Sequence, residues 1–134
     1  MVHVLEEIHR SLRDGGVLLD VHPVPRHTTV AVRTRDSTLV IGSPDDSVGI
    51  AMIRTARRSR NRVVRDGLFR VEARRWFDLP VHYPSVDAWR ARLKDRLSTS
   101  IVSDALMTQA RRAMRAAGST LVVTERVCAT RLVP

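Results

Sequence analysis

The chain of 134 residues has a single cysteine, Cys128, and a single lysine, Lys94, although its basic residues number 23. One thiol excludes an internal disulfide and a cysteine-built metal cluster. Set in an apolar run, Cys128 is predicted to be buried and inert. No stretch approaches the ~20 apolar residues that a membrane-spanning helix requires. Glu6 and Glu7 stand where a secretory leader would carry a basic region followed by a long apolar segment. Those absences set the expectation of a cytoplasmic protein with no membrane contact. Catalytic signatures are missing as well: Gly-x-Gly-x-x-Gly, a phosphate loop, His-Glu-x-x-His and Gly-x-Ser-x-Gly do not occur. The five histidines show no metal-ligand spacing, so no metal site is predicted. With no repeat, low-complexity segment or linker, residues 1–134 are expected to form one domain.

What is present is arginine and a set of alternating helix and strand patterns. The formal net charge is +9 and 43% of residues are apolar, an ordinary share for a globular chain. Val4, Leu5, Ile8 and Leu12 recur at helical spacing, opposite Glu6, Glu7, Arg10 and Arg13. Gly15 and Gly16 suit the left-handed end of that helix. Val17, Leu18 and Leu19 then form a short apolar run, expected as a strand buried on both faces. In open α/β sheets ligands collect beyond the carboxyl ends of such strands, which singles out Asp20, His22 and Pro23 as the working rim.

Beyond the rim, 28–33 and 38–41 read as the arms of an antiparallel hairpin turning at Thr34-Arg35-Asp36-Ser37. The pair is expected over the end of the main sheet. Ser43 as N-cap, Pro44 at the first helical position and then Asp45 and Asp46 predict a helix running to about Arg65, closed by Gly67. Leu68–Leu79 reads as a strand and 81–84 as a loop. Ser85 caps a helix whose Val86, Trp89, Leu93 and Leu97 share a stripe. A further helix starts at Ser103-Asp104 with Leu106, Ala110, Ala113, Met114 and Ala117 inward, and Gly118 ends it. Thr120–Leu132 is the final strand.

Candidate site residues follow from this placement. His22 and His27 flank a proline-bounded rim loop, where they serve either substrate contact and proton transfer or structural hydrogen bonding. Asp20 is either a strand-end cap or a base. Trp76, Phe77 and Tyr83 either pack or line a pocket. His3 and His9 are expected on the helix surface. The tract 54–65 is the one dense basic cluster, and Arg54, Arg57, Arg58 and Arg62 form a candidate nucleic-acid surface. It contains no interleaved aromatic residue for base stacking, and the competing reading is a solvated helix face.

In order, helix, Gly-Gly, buried strand, helix, strand, inserted helices and final strand, the chain resembles the C-terminal half of a class I S-adenosylmethionine-dependent methyltransferase. The pattern Leu-x-Glu-x-x-Arg-x-Leu-x-x-Gly-Gly, common before strand five of that family, is carried by Leu5, Glu7, Arg10, Leu12, Gly15 and Gly16. Val81-His82-Tyr83-Pro84-Ser85 through Trp89 and Leu93 is similar to the stretch between its strands six and seven. The resemblance implies an α/β fold, a partial Rossmann-like sheet of strands five, seven and six with flanking helices and the extra hairpin. It also implies that S-adenosylmethionine is held mainly by a first half that does not precede Met1. The expectation is therefore an acceptor-side half, inactive alone, as a truncated frame, a remnant or a piece of a split enzyme. Asp20, His22, His27, Trp76 and Tyr83 would face a small-molecule acceptor. An uncovered strand edge at 17–21 would call for a second copy, the missing half or the hairpin. The alternative from a different class is a small basic dimeric module binding nucleic acid or an acidic partner.

Overall fold

A computed structural model describes residues 2–24, 28–95 and 100–134, with only the backbone of Asp95. His27, proposed for the rim, and Leu97, proposed for a helix stripe, lie outside the described residues. Among those described, the chain is α/β, with four helices and five strands in an open antiparallel sheet. The expected class is met. The chain divides into two compact units, to each of which β4 (Arg70–Tyr83) and β5 (Thr120–Val133) give one half.

The first unit gathers α1 (Val2–Ser11), β1 (Leu18–Pro23), most of α2 (Ser47–Arg65) and the halves Arg70–Phe77 and Val127–Val133 of the two long strands. Leu5 and Ile8 of α1 and Leu12 just beyond its end pack with Val63 of α2, Phe69, Leu18 and Leu132. Val4 stays 56% exposed and Val2 replaces it in the apolar stripe, so the buried face is rotated slightly from the predicted one. His9 is half-buried and meets the Phe69 ring edge-on at 5.2 Å, rather than lying on the open helix surface. The helix stops where Gly15 takes φ +75° and the Gly16 N–H donates to the Arg13 carbonyl at 2.8 Å. At the end of α2, Gly67 has φ +79° and the Leu68 N–H returns to the Val63 carbonyl at 3.0 Å, the reversal that satisfies a terminal helical acceptor.

β1 runs antiparallel to β5, with Leu18 opposite Leu132, Asp20 opposite Thr130 and His22 opposite Cys128. The predicted burial of this strand on both faces is not what it shows. Its residues alternate, and Leu19 and Val21 are 62% and 57% exposed. The helices of the unit cover the Leu18–Asp20–His22 side only, so a short apolar run here became a one-faced strand. On β4 the Glu72 carboxylate meets the Arg131 guanidinium at 2.6 Å, and Trp76, two pleats further along the strand, is 53% exposed.

The second unit holds β2 (Thr29–Arg33), β3 (Thr38–Gly42), α3 (Val86–Asp95), α4 (Asp104–Ala113) and the remaining halves of β4 and β5. The predicted hairpin is present, and its turn is closed by the Thr34 N–H on the Ser37 carbonyl at 2.8 Å. It is part of the sheet rather than laid over its end, and it does not pair with β1: β2 pairs with β5, Val30 opposite Val123 and Val32 opposite Leu121. Val30, Val32, Leu121 and Val123 form a core with Val86 and Trp89 of α3 and Leu106 and Ala110 of α4. The Ser85 hydroxyl accepts the Ala88 N–H at 3.0 Å and the Ser103 hydroxyl accepts the Leu106 N–H at 3.2 Å, so both predicted caps form.

Several boundaries move. α4 ends at Ala113, short of the expected stop at Gly118, and Ala117, expected inward, is exposed. Asp45 forms an antiparallel bridge with Ile101, which holds it extended, and its carboxylate takes the Ser47 N–H at 2.9 Å. Helix α2 therefore starts at Ser47, and Ser43 and Pro44 lie outside it. β4 also continues through Val81–Tyr83, where a loop was expected. Pro80 fits inside it because a proline without an N–H is tolerated on an outer strand.

Candidate functional site

The β1–β5 register sets Asp20, His22, Cys128 and Thr130 on one face of two neighbouring strands. Arg60 of α2 reaches onto that face. Its Nη1 donates to Asp20 Oδ2 at 2.8 Å and to Thr130 Oγ1 at 3.3 Å, and Nη2 to Asn61 Oδ1 at 3.5 Å. The Arg60 side chain is 7% exposed and that of Asp20 33%, so the guanidinium is the buried member of the pair. Arg60 Nε has no hydrogen-bond partner among the described residues. His22 Nδ1 stands 3.6 Å from Asp20 Oδ1, and Cys128 Sγ is 3.9 Å from Thr130 Oγ1. Cys128 is buried, as its apolar setting predicted.

The electrostatics favour a neutral imidazole. Burial pushes the His22 pKa below its ordinary 6.5, the neighbouring Asp20 carboxylate opposes the shift, and Arg60 and Arg57 add to it. The cluster is closed: Asp20 gives one oxygen to Arg60 and turns the other to His22, and Thr130 is fully buried. Such an arrangement suits a clamp holding α2 to the strands better than a base facing a reactant.

The outward side of α2 is what the clamp presents. Arg54, Arg57, Arg58, Asn61, Arg62 and Arg65 recur at spacings of three and four and all are exposed. Arg62 and Arg65 share Asp66, at 3.6 and 3.5 Å. Arg54, Arg57 and Arg58 have no acidic partner among the described residues. Arg60 corrects the expectation that every arginine of the tract is solvated. Sequence spacing held the signal: with a period of 3.6, Arg60 falls on the side of Ile53, Ala56 and Val63 and away from its neighbours.

Of the other predicted site residues, Trp76 belongs to the first unit and is exposed. Tyr83 belongs to the second, where it is half-buried against the core and lines a small cavity with Trp89 and Leu93. Among the described residues no group of three His, Cys, Asp or Glu side chains could hold a metal ion, and no helix is long and apolar enough to cross a membrane. Comparison of the chain with protein-family models, with curated proteins and with solved structures gives no match.

Proposed function

We propose that this chain is a basic binding module that takes the phosphate backbone of nucleic acid along the outward arginine row of α2. The observation that carries the reading is the partition of one helix. Arg60, its inward arginine, is locked to Asp20 and Thr130, whereas Arg54, Arg57 and Arg58 stand in solvent with no acidic partner among the described residues. From Arg54 to Arg62 the row spans about 12 Å at ~1.5 Å per residue. Guanidinium groups match phosphate oxygens bidentately. Without an aromatic residue in the row, contact is to the backbone and not to bases, so binding is insensitive to sequence.

Four arginines on phosphates give a slope of log affinity against log salt of about −3.6, and a loss on the order of 100-fold between about 50 and 200 mM salt. Fluorescence anisotropy with a labelled 20-base-pair duplex measures it. Arg57→Glu with Arg58→Glu should abolish binding, while Arg74→Glu with Arg75→Glu, an equal change of net charge on β4, should leave most of it. Salt-independent affinity, or equal losses in the two double variants, would refute the reading.

A second reading, that the chain is the acceptor-side half of an S-adenosylmethionine-dependent methyltransferase, draws support from strand neighbours. β1 lies antiparallel beside β5, and β4 also pairs with β5, as strands five and six flank seven in that family. The finer Rossmann-like order belongs to this proposal. The residues present do not fit a methyl donor held by this chain, because Asp20, the carboxylate near the end of β1, is engaged by Arg60 and His22. Calorimetry separates the readings. The chain alone should give no heat with the donor, and binding should arise only when a donor-binding first half is added. Micromolar binding to the chain alone would remove this reading.

A further inference from the structure

The structure assigns a second binding surface, in the second unit, to an extended acidic peptide that adds as a strand to the free edge of β3. β3 pairs with β2 on one side, and no strand pairs its other side among the described residues. Alternate N–H and C=O groups along that side are open donors and acceptors. Natural edge strands are blunted by charge, proline or short length. Thr38–Gly42 has neither charge nor proline, and its Leu39 and Val40 are 58% and 63% exposed.

Beside this edge lies a groove of about 480 Å³ between β3 and α4, bounded by Leu39, Val40, Ile41, Gln109, Arg112 and Ala113. Gln109, Arg112 and Ala113 are spaced three and four apart, so one stripe of α4 forms the far wall. Ala113 ends at a methyl and leaves the groove open. Ile41 is an extra residue relative to β2, since Val30 faces Gly42 while Ala31 faces Val40, and it packs on the core to make the floor. Gly42, at φ +151°, allows this because a Cβ there would meet Leu106 Cδ1 at 3.0 Å.

A strand edge beside a helix-walled apolar groove is the arrangement that accepts an added strand, with main-chain bonds giving affinity and alternate side chains entering the groove. Charge selects the occupant. Arg112 is exposed and has no acidic partner among the described residues, whereas Arg111 beside it is paired with Asp87 at 3.3 Å. The chain carries +9, so an acidic segment is attracted, whereas a second copy would bring Arg112 and a like net charge to the edge. The five residues of β3 offer about 17 Å of edge.

A displayed library of random heptapeptides, selected against the full chain at low salt, tests this. Selected peptides should alternate apolar residues and carry at least one Asp or Glu. Addition of the most enriched one should slow hydrogen exchange at Leu39–Ile41. Arg112→Glu should weaken that peptide at least tenfold, and Ala113→Met, which fills the groove without altering charge, should do the same. Failure to enrich any peptide, equal recovery of basic ones, or protection confined to α2 would overturn the assignment. So would a dimer in sedimentation whose β3 amides are protected without peptide.

Discussion

Removing Asp20 should destabilise the chain more than removing Asp20 and Arg60 together. The Arg60 side chain is 7% exposed, its Nε has no partner among the described residues, and it depends on the Asp20 carboxylate at 2.8 Å. Asp20→Ala leaves that cation uncompensated, and breaking a buried pair from one side costs about 3 kcal/mol. Arg60→Met leaves the aspartate instead. With a third of its side chain exposed it can rehydrate, so about 1–2 kcal/mol is expected, mostly lost hydrogen bonds. The double variant removes both charges and retains an apolar filler, and about 1–2 kcal/mol is expected for it too, because the two groups act on each other. The coupling is then about 3 kcal/mol. Urea denaturation of the four proteins at pH 7.5, with identical slopes, measures the cycle. Additive losses, or an Asp20→Ala loss under about 0.5 kcal/mol, would refute the clamp and with it the account of how α2 is held.

Two further outcomes follow from the same geometry. His22 has a folded pKa below 6.5, so the unfolded chain binds its proton first. Stability is full above 6.5 and falls as pH drops through 6.5 toward the folded value. Urea midpoints at pH 7.5 and 5.5 should therefore differ more for the parent chain than for His22→Gln. Gly16→Ala should cost about 1–3 kcal/mol, because a Cβ there would stand 2.8 Å from the Arg13 carbonyl oxygen and 3.1 Å from Leu12 Cδ2. The same urea titration reads it, and an unchanged midpoint would show that the turn relaxes freely.

The elements legible in the sequence are those whose signals are local. The stop at Gly15–Gly16, the 34–37 turn and the caps Ser85 and Ser103 each lie within a few residues of what they control. Signals overridden by distant partners misled. Ser43-Pro44 looks like a helix start, yet the bridge from Asp45 to Ile101, far along the chain, draws the backbone straight. Val81–Tyr83 looks like a loop between two prolines, but it extends β4. The candidate site was half visible. Asp20 and His22 stand out at a strand end, and the exposed arginines stand out by density. Arg60 is the piece that charge counting hides, because its pairing with Asp20 and Thr130 joins residues 40 and 70 positions apart.

Leu19, Val21 and Trp76 leave oily side chains of the first unit open to water, and most of β4 is exposed as well. Mutual repulsion between molecules, each carrying +9, opposes contact between such surfaces. Its reach is only about 8 Å at physiological ionic strength and shrinks further with added electrolyte. Self-association is thus expected to follow the ions around the chain: added salt should favour it, and a polyanion that neutralises the arginines should lower the barrier further.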